Sequence, residues 1–217
     1  MPKAGRRGIV PFSLKTCLKE RVVLCAVLAG IMGMGFVAGM AGGGALPEQT
    51  RRELMVYIND LFSSLAGAGM LPAKNIGHIL GENVLKTGGL LWLLGLSVIG
   101  APLIAAILFL RGFSLGFTAG VLISQLAWKG TVLAMLALLP HNLLHLPGLM
   151  LTAAGAVAFS FRALQSMLGR PSPGGIRHHF LTEGSLAVVG SILLAAGSLI
   201  EAYITPVLVL YAGRGLL

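Results

Sequence analysis

Charged residues are scarce in this chain, and their scarcity excludes most soluble folds. Only 11% of its 217 residues are charged, whereas 56% are hydrophobic. Soluble domains carry about a quarter charged residues. A membrane-spanning helix needs roughly 20 apolar residues to cross about 30 Å of hydrocarbon, and several runs of this kind are present. We therefore predict an all-α, polytopic integral membrane protein that forms a single domain over residues 1–217.

Cysteine is also rare, with only Cys17 and Cys25 in the chain. Eight residues along a helix separate them by roughly 12 Å, which is too far for a disulfide. We expect two free thiols without a functional role.

Acidic residues number only 7 against 16 Lys and Arg, and the net charge of +9 lies mainly beside the apolar runs. This position is typical of the positive-inside rule and not of nucleic-acid binding. Residues 1–21 carry six basic residues and one acid, so we expect a cytoplasmic N-terminus. A cleaved signal peptide is the alternative, but the first apolar run exceeds a signal core of about 7–15 residues.

The hydropathy pattern predicts about five transmembrane helices and one shorter segment. Residues 42–88 form the predicted extracytoplasmic loop, and the basic residues 162–184 form a cytoplasmic one. Arg111 would mark the inner end of the second span. Pro140 would break the charge-free stretch 131–161, which leaves a re-entrant or outer half-helix at 130–139. The predicted spans are 22–41, 89–110, 112–128, 141–161 and 185–211.

Small residues recur at helical spacing within the spans. In a bilayer such residues let helix backbones approach closely, either within one chain or between two copies. A homodimer or larger homo-oligomer is the second of these interpretations. The glycines concerned are Gly35, Gly39, Gly112, Gly116 and Gly120.

Two amphipathic helices are predicted in the outer loop, at about 47–66 and 75–87. Pro47 suits the first turn of a helix. After it, apolar residues recur at helical spacing and the charged residues lie on the other face. Such helices lie on a membrane surface, lie against the bundle or bind an extracytoplasmic partner. The predicted partner-binding residues are Leu54, Ile58, Leu61, Phe62 and Leu65.

The stretch LPHNLLHLP (139–147) places two imidazoles and an amide in an apolar run. His141 and His145 are four residues apart and fall on one helix face. Glu201 is the carboxylate of the last span, and ionisable groups in a bilayer usually face the bundle interior. Two histidines and a carboxylate can bind a divalent transition metal such as zinc. The alternative is a hydrogen-bonded structural cluster that includes Asn142.

HNLLH also has the frame of the H-E-x-x-H zinc proteases, with Asn142 at the position of the general base. An amide cannot accept the proton, so a metal-dependent membrane hydrolase would need another base. The sequence contains no phosphate-binding glycine loop followed by Lys and Ser or Thr, and no G-x-S-x-G. Ser160 and Ser191 are interpreted as small packing residues.

Three motifs together resemble the stage II sporulation protein M family. They are RGFSLGFTAG (111–120), LLPHNLLHLP (138–147) and IEAYITP (200–206). Family members often carry a glutamate where this chain has His145, so the resemblance implies a polar cluster but not its exact chemistry.

The resemblance implies a scaffold for endospore formation in the bacterial cytoplasmic membrane, at the sporulation septum and the engulfing mother-cell membrane. It further implies that the protein recruits two peptidoglycan-degrading partners, stage II sporulation proteins D and P. We expect no enzymatic activity and no nucleic-acid partner. A metal-dependent membrane enzyme and a transporter or channel component are the alternatives.

Overall fold

The computed structural model describes the backbone of residues 14–67, 78, 81–95, 97, 100–169 and 175–216. Side chains of residues 14–21, 58–59, 61–67, 175–179, 182, 206 and 209–216 lie outside the described set. The described elements are all helical, which confirms the predicted all-α class. They are α1 (Leu14–Gly44), α2 (Glu48–Gly67), the π-helical α3 (Gly81–Gly89), α4 (Leu90–Gly95), α5 (Gly100–Met167) and α6 (Gly175–Leu216).

Three segments of the described chain are long and apolar enough to cross a membrane. They are Val22–Gly44, Gly100–Met167 and Glu183–Thr205. The second has 68 residues, and a straight helix of that length would measure about 100 Å. A bilayer cannot accommodate such a rod as one pass.

Helix α5 is instead bent at Ala127. This residue has φ 49° and ψ −126°, and positive φ is uncommon for a residue with a Cβ. Residues 100–126 and 128–167 therefore form two antiparallel legs. Leu122 of the first leg packs with Leu133 and Ala134 of the second, and a Cβ at Gly130 would overlap the carbonyl oxygen of Leu122.

Two predicted boundaries are wrong. Arg111 does not end a span, because the helix continues through it from residue 100 to 126. Pro140 does not break the helix either, because both Pro140 and Pro147 lie inside the second leg. Transmembrane helices tolerate proline where neighbouring groups satisfy the freed backbone. The half-helix expected at 130–139 is consequently part of this leg.

The small-residue stripe joins α1 to the first leg of α5. A Cβ at Gly35 would approach the backbone of Phe109, and one at Gly116 would overlap the carbonyl oxygen of Phe36. The two backbones are therefore in direct contact, which only glycine permits. A Cβ would likewise overlap the backbone of Phe113 if placed at Gly39, of Met32 at Gly112 and of Met40 at Gly120. All five predicted glycines thus lie at an interface within the chain.

The main core forms where α1, α4, α5 and α6 meet. Leu28, Leu91, Ile104 and Leu194 are buried there. Cys25 packs against this core as a free, half-buried thiol, whereas the side chain of Cys17 lies outside the described set.

The register of α1 shows which helix ends lie together in the bundle. Met32, Phe36 and Met40 contact positions 112, 116 and 120 in the same order, so α1 runs parallel to the first leg. The start of α1, the end of α5 and the start of α6 therefore lie at the same end, which we call the basic end. The helices also extend into the predicted loops: α5 reaches Met167 and α6 begins at Gly175.

Candidate functional site

Polar side chains from α3, both legs of α5 and α6 meet inside the bundle. The second leg supplies the LPHNLLHLP residues, and α6 faces them through Ser198 and Glu201. We call this group the polar cluster: Asn83, Thr87, Arg111, His141, Asn142, His145, Ser198 and Glu201.

His145 links the second leg of α5 to α6. Its Nε2 lies 3.1 Å from the carbonyl oxygen of Leu194 and 3.3 Å from Ser198 Oγ. The Ser198 hydroxyl donates to the same carbonyl at 2.8 Å, so its oxygen is left to accept. Both contacts require a proton on Nε2. The ring fits because Gly197 has no side chain, and a Cβ there would overlap it.

His141 and Asn142 form the second part of the cluster. The Asn142 amide donates to the Leu138 carbonyl at 2.7 Å and to His141 Nε2 at 3.1 Å. The His141 ring stands edge-on to the His145 ring, with centroids 5.6 Å apart. Both side chains are buried. Within the described structure, His141 Nδ1 and Asn142 Oδ1 make no hydrogen bond.

Glu201 and Arg111 bring two opposite charges to the cluster. The Glu201 carboxylate accepts a hydrogen bond from the Asn83 amide at 3.1 Å. Both charges lie close enough to act electrostatically on both imidazoles. Asn83, Thr87, Arg111 and His145 line a cavity of about 10 Å³, roughly the room that one water molecule needs.

The structure brings the two predicted histidines together, but the Nε2 atom of each ring already has another partner. His145 Nε2 faces a carbonyl, and His141 Nε2 accepts from an amide. Among the described residues, no group of three His, Cys, Asp or Glu side chains is placed to hold a metal ion. The arrangement thus supports the hydrogen-bonded alternative, and metal binding stays a prediction.

Sequence reasoning missed Asn83 and Arg111. Arg111 had a usable signal, because an arginine inside an apolar run usually faces a bundle interior. Asn83 had none, since its meeting with Glu201 depends on how α3 packs against α6.

A buried ion pair at the basic end was also missed. Arg162 Nη1 lies 3.1 Å from Glu183 Oε1, and Glu183 is 2% exposed. Nearby, the buried Ser160 hydroxyl donates to the Ser97 carbonyl at 2.7 Å. These contacts join α5 to α6 and to the turn before α5.

The helix α3 lies outside the three candidate spans and carries an exposed ion pair. Lys86 donates a hydrogen bond to Glu82, and this bond, the Lys86 charge and the His78 charge lower the pKa of Glu82. Because the folded-state pKa is depressed, the interaction stabilises the fold above the ordinary pKa of the carboxyl and is lost as the pH falls through the lowered value.

Arg51 fixes α2 at the end of α1 opposite the basic end. Its Nη2 donates to the Gly44 carbonyl at 2.7 Å, and its Nε donates to the Leu46 carbonyl at 2.9 Å. Among the predicted partner-binding residues, Leu54 is half-buried. The side chains of Ile58, Leu61, Phe62 and Leu65 lie outside the described set. Val56 and Tyr57 are instead 61% and 62% exposed.

Comparison with known proteins gives one result. The family model described as stage II sporulation protein M matches residues 22–206, which include all of the polar cluster. No curated protein and no solved structure matches the chain.

Proposed function

Because this chain belongs to the stage II sporulation protein M family, we propose that it is a non-enzymatic membrane scaffold for endospore formation. In this role it recruits cell-wall hydrolases, which resemble stage II sporulation proteins D and P, to the septum during engulfment. Family membership makes it a sporulation-related membrane protein. The recruiting role is the finer step that we propose.

The position of α2 is the observation that carries this proposal. The helix follows the end of α1 after a turn of only three residues, and two Arg51 bonds tie it to that turn. Its exposed Val56 and Tyr57 form an apolar spot beside charged side chains. An aromatic residue with a polar rim is typical of a protein-binding surface.

The hydrogen-bonded state of the polar cluster agrees with a structural role. Its groups are used in contacts between helices, and the cavity between Asn83, Thr87, Arg111 and His145 admits roughly one water.

The test is co-purification of the two hydrolase partners with the full-length chain from detergent-solubilised membranes of sporulating cells. We expect both partners with the parent protein. Val56→Asp combined with Tyr57→Asp should reduce their recovery about tenfold, because two charges would replace the apolar contact.

Leu168→Asp is the matched control. Leu168 is also an exposed apolar residue (67% exposed), and it follows α5 at the basic end. It should leave recovery unchanged. If neither partner is recovered with the parent protein, the scaffold proposal is wrong. Full recovery with the α2 variant would instead contradict only the assignment of the docking surface.

A further inference from the structure

An open cleft runs between α3–α4 and α6. It has a volume of about 720 Å³. One wall includes Val84, Gly89 and Trp92, and the other includes Leu181, Val188 and Ala195. No charged side chain of the described residues lines it. We call it the α3–α6 cleft.

The cleft is long. Its α6 wall extends from Phe180 to Ala195, which is about 22 Å along a helix. A single hydrocarbon chain fits this elongated apolar cleft.

One end of the cleft has the character of a membrane interface. The ring of Phe180 lies 5.3 Å from Trp92 and 5.9 Å from Phe159, measured between centroids. Amphipathic aromatic residues such as tryptophan concentrate at the level of lipid headgroups.

This aromatic end coincides with the basic end of the bundle. Residues 162–184 carry three arginines against Glu183 alone, and Glu183 is paired with Arg162. Arg177 stands in α6 one turn before Phe180. Basic segments beside a span attract anionic lipids.

We propose that the α3–α6 cleft is a binding site for an anionic phospholipid. One acyl chain fills the apolar cleft, and the phosphate-bearing headgroup lies at the basic end beyond Trp92 and Phe180. The preference for an anionic headgroup separates this site from ordinary contact with bulk lipid.

The two tryptophans of the chain, Trp92 and Trp128, make the test direct. The Trp128→Phe variant leaves Trp92 as the only indole. It is reconstituted as the full chain into phosphatidylcholine vesicles that contain a fixed fraction of acyl-brominated phosphatidylglycerol or acyl-brominated phosphatidylcholine. Bromine quenches indole fluorescence on contact. We expect brominated phosphatidylglycerol to quench Trp92 at least twofold more, with the difference reduced in high salt.

Two further variants make the result specific. Trp92→Phe reports on Trp128, which is 65% exposed beside the α5 bend, and both lipids should quench it equally. Gly89→Leu fills the cleft, since a Cβ there meets no atom within 4 Å, and it should abolish the difference at Trp92. Gly30→Leu is matched to it, because Gly30 has equally open space, and it should preserve the difference.

Three outcomes would overturn the proposal. Equal quenching of Trp92 by both lipids would show bulk lipid contact alone. Absence of quenching by either would show that protein fills the cleft. A difference that survives Gly89→Leu would place the bound lipid elsewhere.

Discussion

At the scale of single residues, His145 connects the second leg of α5 to α6. Its ring donates towards the Leu194 carbonyl and Ser198 Oγ, and Gly197 leaves the space that it occupies. We expect His145→Ala to lower the free energy of unfolding by about 1–3 kcal/mol, through lost interhelical hydrogen bonds and a new cavity. Reversible denaturation in mixed micelles measures this difference.

Leu143→Ala is the control on the same helix. Leu143 is 69% exposed, so its removal should change the free energy of unfolding by no more than about 0.5 kcal/mol. Equal effects of the two substitutions would mean that the polar cluster does not hold the helices together.

The sequence predicted part of this site. Helical periodicity was sufficient to place His141 and His145 on one face, because their spacing is local. It was not sufficient for Asn83 or Glu183, whose partners are 118 and 21 residues away. Such pairs depend on helix packing, which a local pattern does not encode.

At the scale of elements, the contact between α1 and the first leg of α5 depends on missing side chains. We expect Gly116→Ala to lower the free energy of unfolding by about 1–3 kcal/mol, because its Cβ would overlap the Phe36 carbonyl oxygen and force the helices apart. Gly33→Ala is the matched substitution, since a Cβ there meets no atom within 4 Å. It should leave stability unchanged or slightly higher; equal losses from both would refute the close approach.

The angle between α1 and α2 depends on Arg51. We expect Arg51→Ala to broaden the distance distribution between spin labels on α1 and α2, because the bonds to the Gly44 and Leu46 carbonyls are lost. Arg52→Ala provides the comparison. Arg52 makes only an exposed pair with Glu48 at 3.6 Å, and such pairs contribute little. An unchanged distribution in the Arg51 variant would show that other contacts orient α2.

The all-helical class was easier to predict from the sequence than the positions where the helices end. Apolar runs indicated candidate spans, and the predicted span 112–128 ends one residue from the bend at Ala127. Pro140 led to a wrong prediction of a helix end, because proline breaks helices in water but lies inside the second leg here. Arg111 was predicted to end a span because it interrupts an apolar run. In the fold it lies beside Asn83 and His145, which are distant in the sequence.

At the scale of the whole molecule, the bundle has two different ends. The start of α1, the end of α5 and the start of α6 lie at one end, and α2 follows the end of α1 at the other. This polarity matches the positive-inside rule. With the predicted cytoplasmic N-terminus, α2 would lie on the extracytoplasmic side, where we propose that it meets the hydrolases.

The most direct test of the scaffold role is imaging of fluorescently tagged D-like and P-like hydrolases in sporulating cells that lack this protein. We predict that both hydrolases lose their enrichment at the septum, and that expression of the parent chain restores it, whereas the Val56→Asp/Tyr57→Asp variant does not. Correct septal localisation of both hydrolases in the deletion strain would contradict the scaffold role.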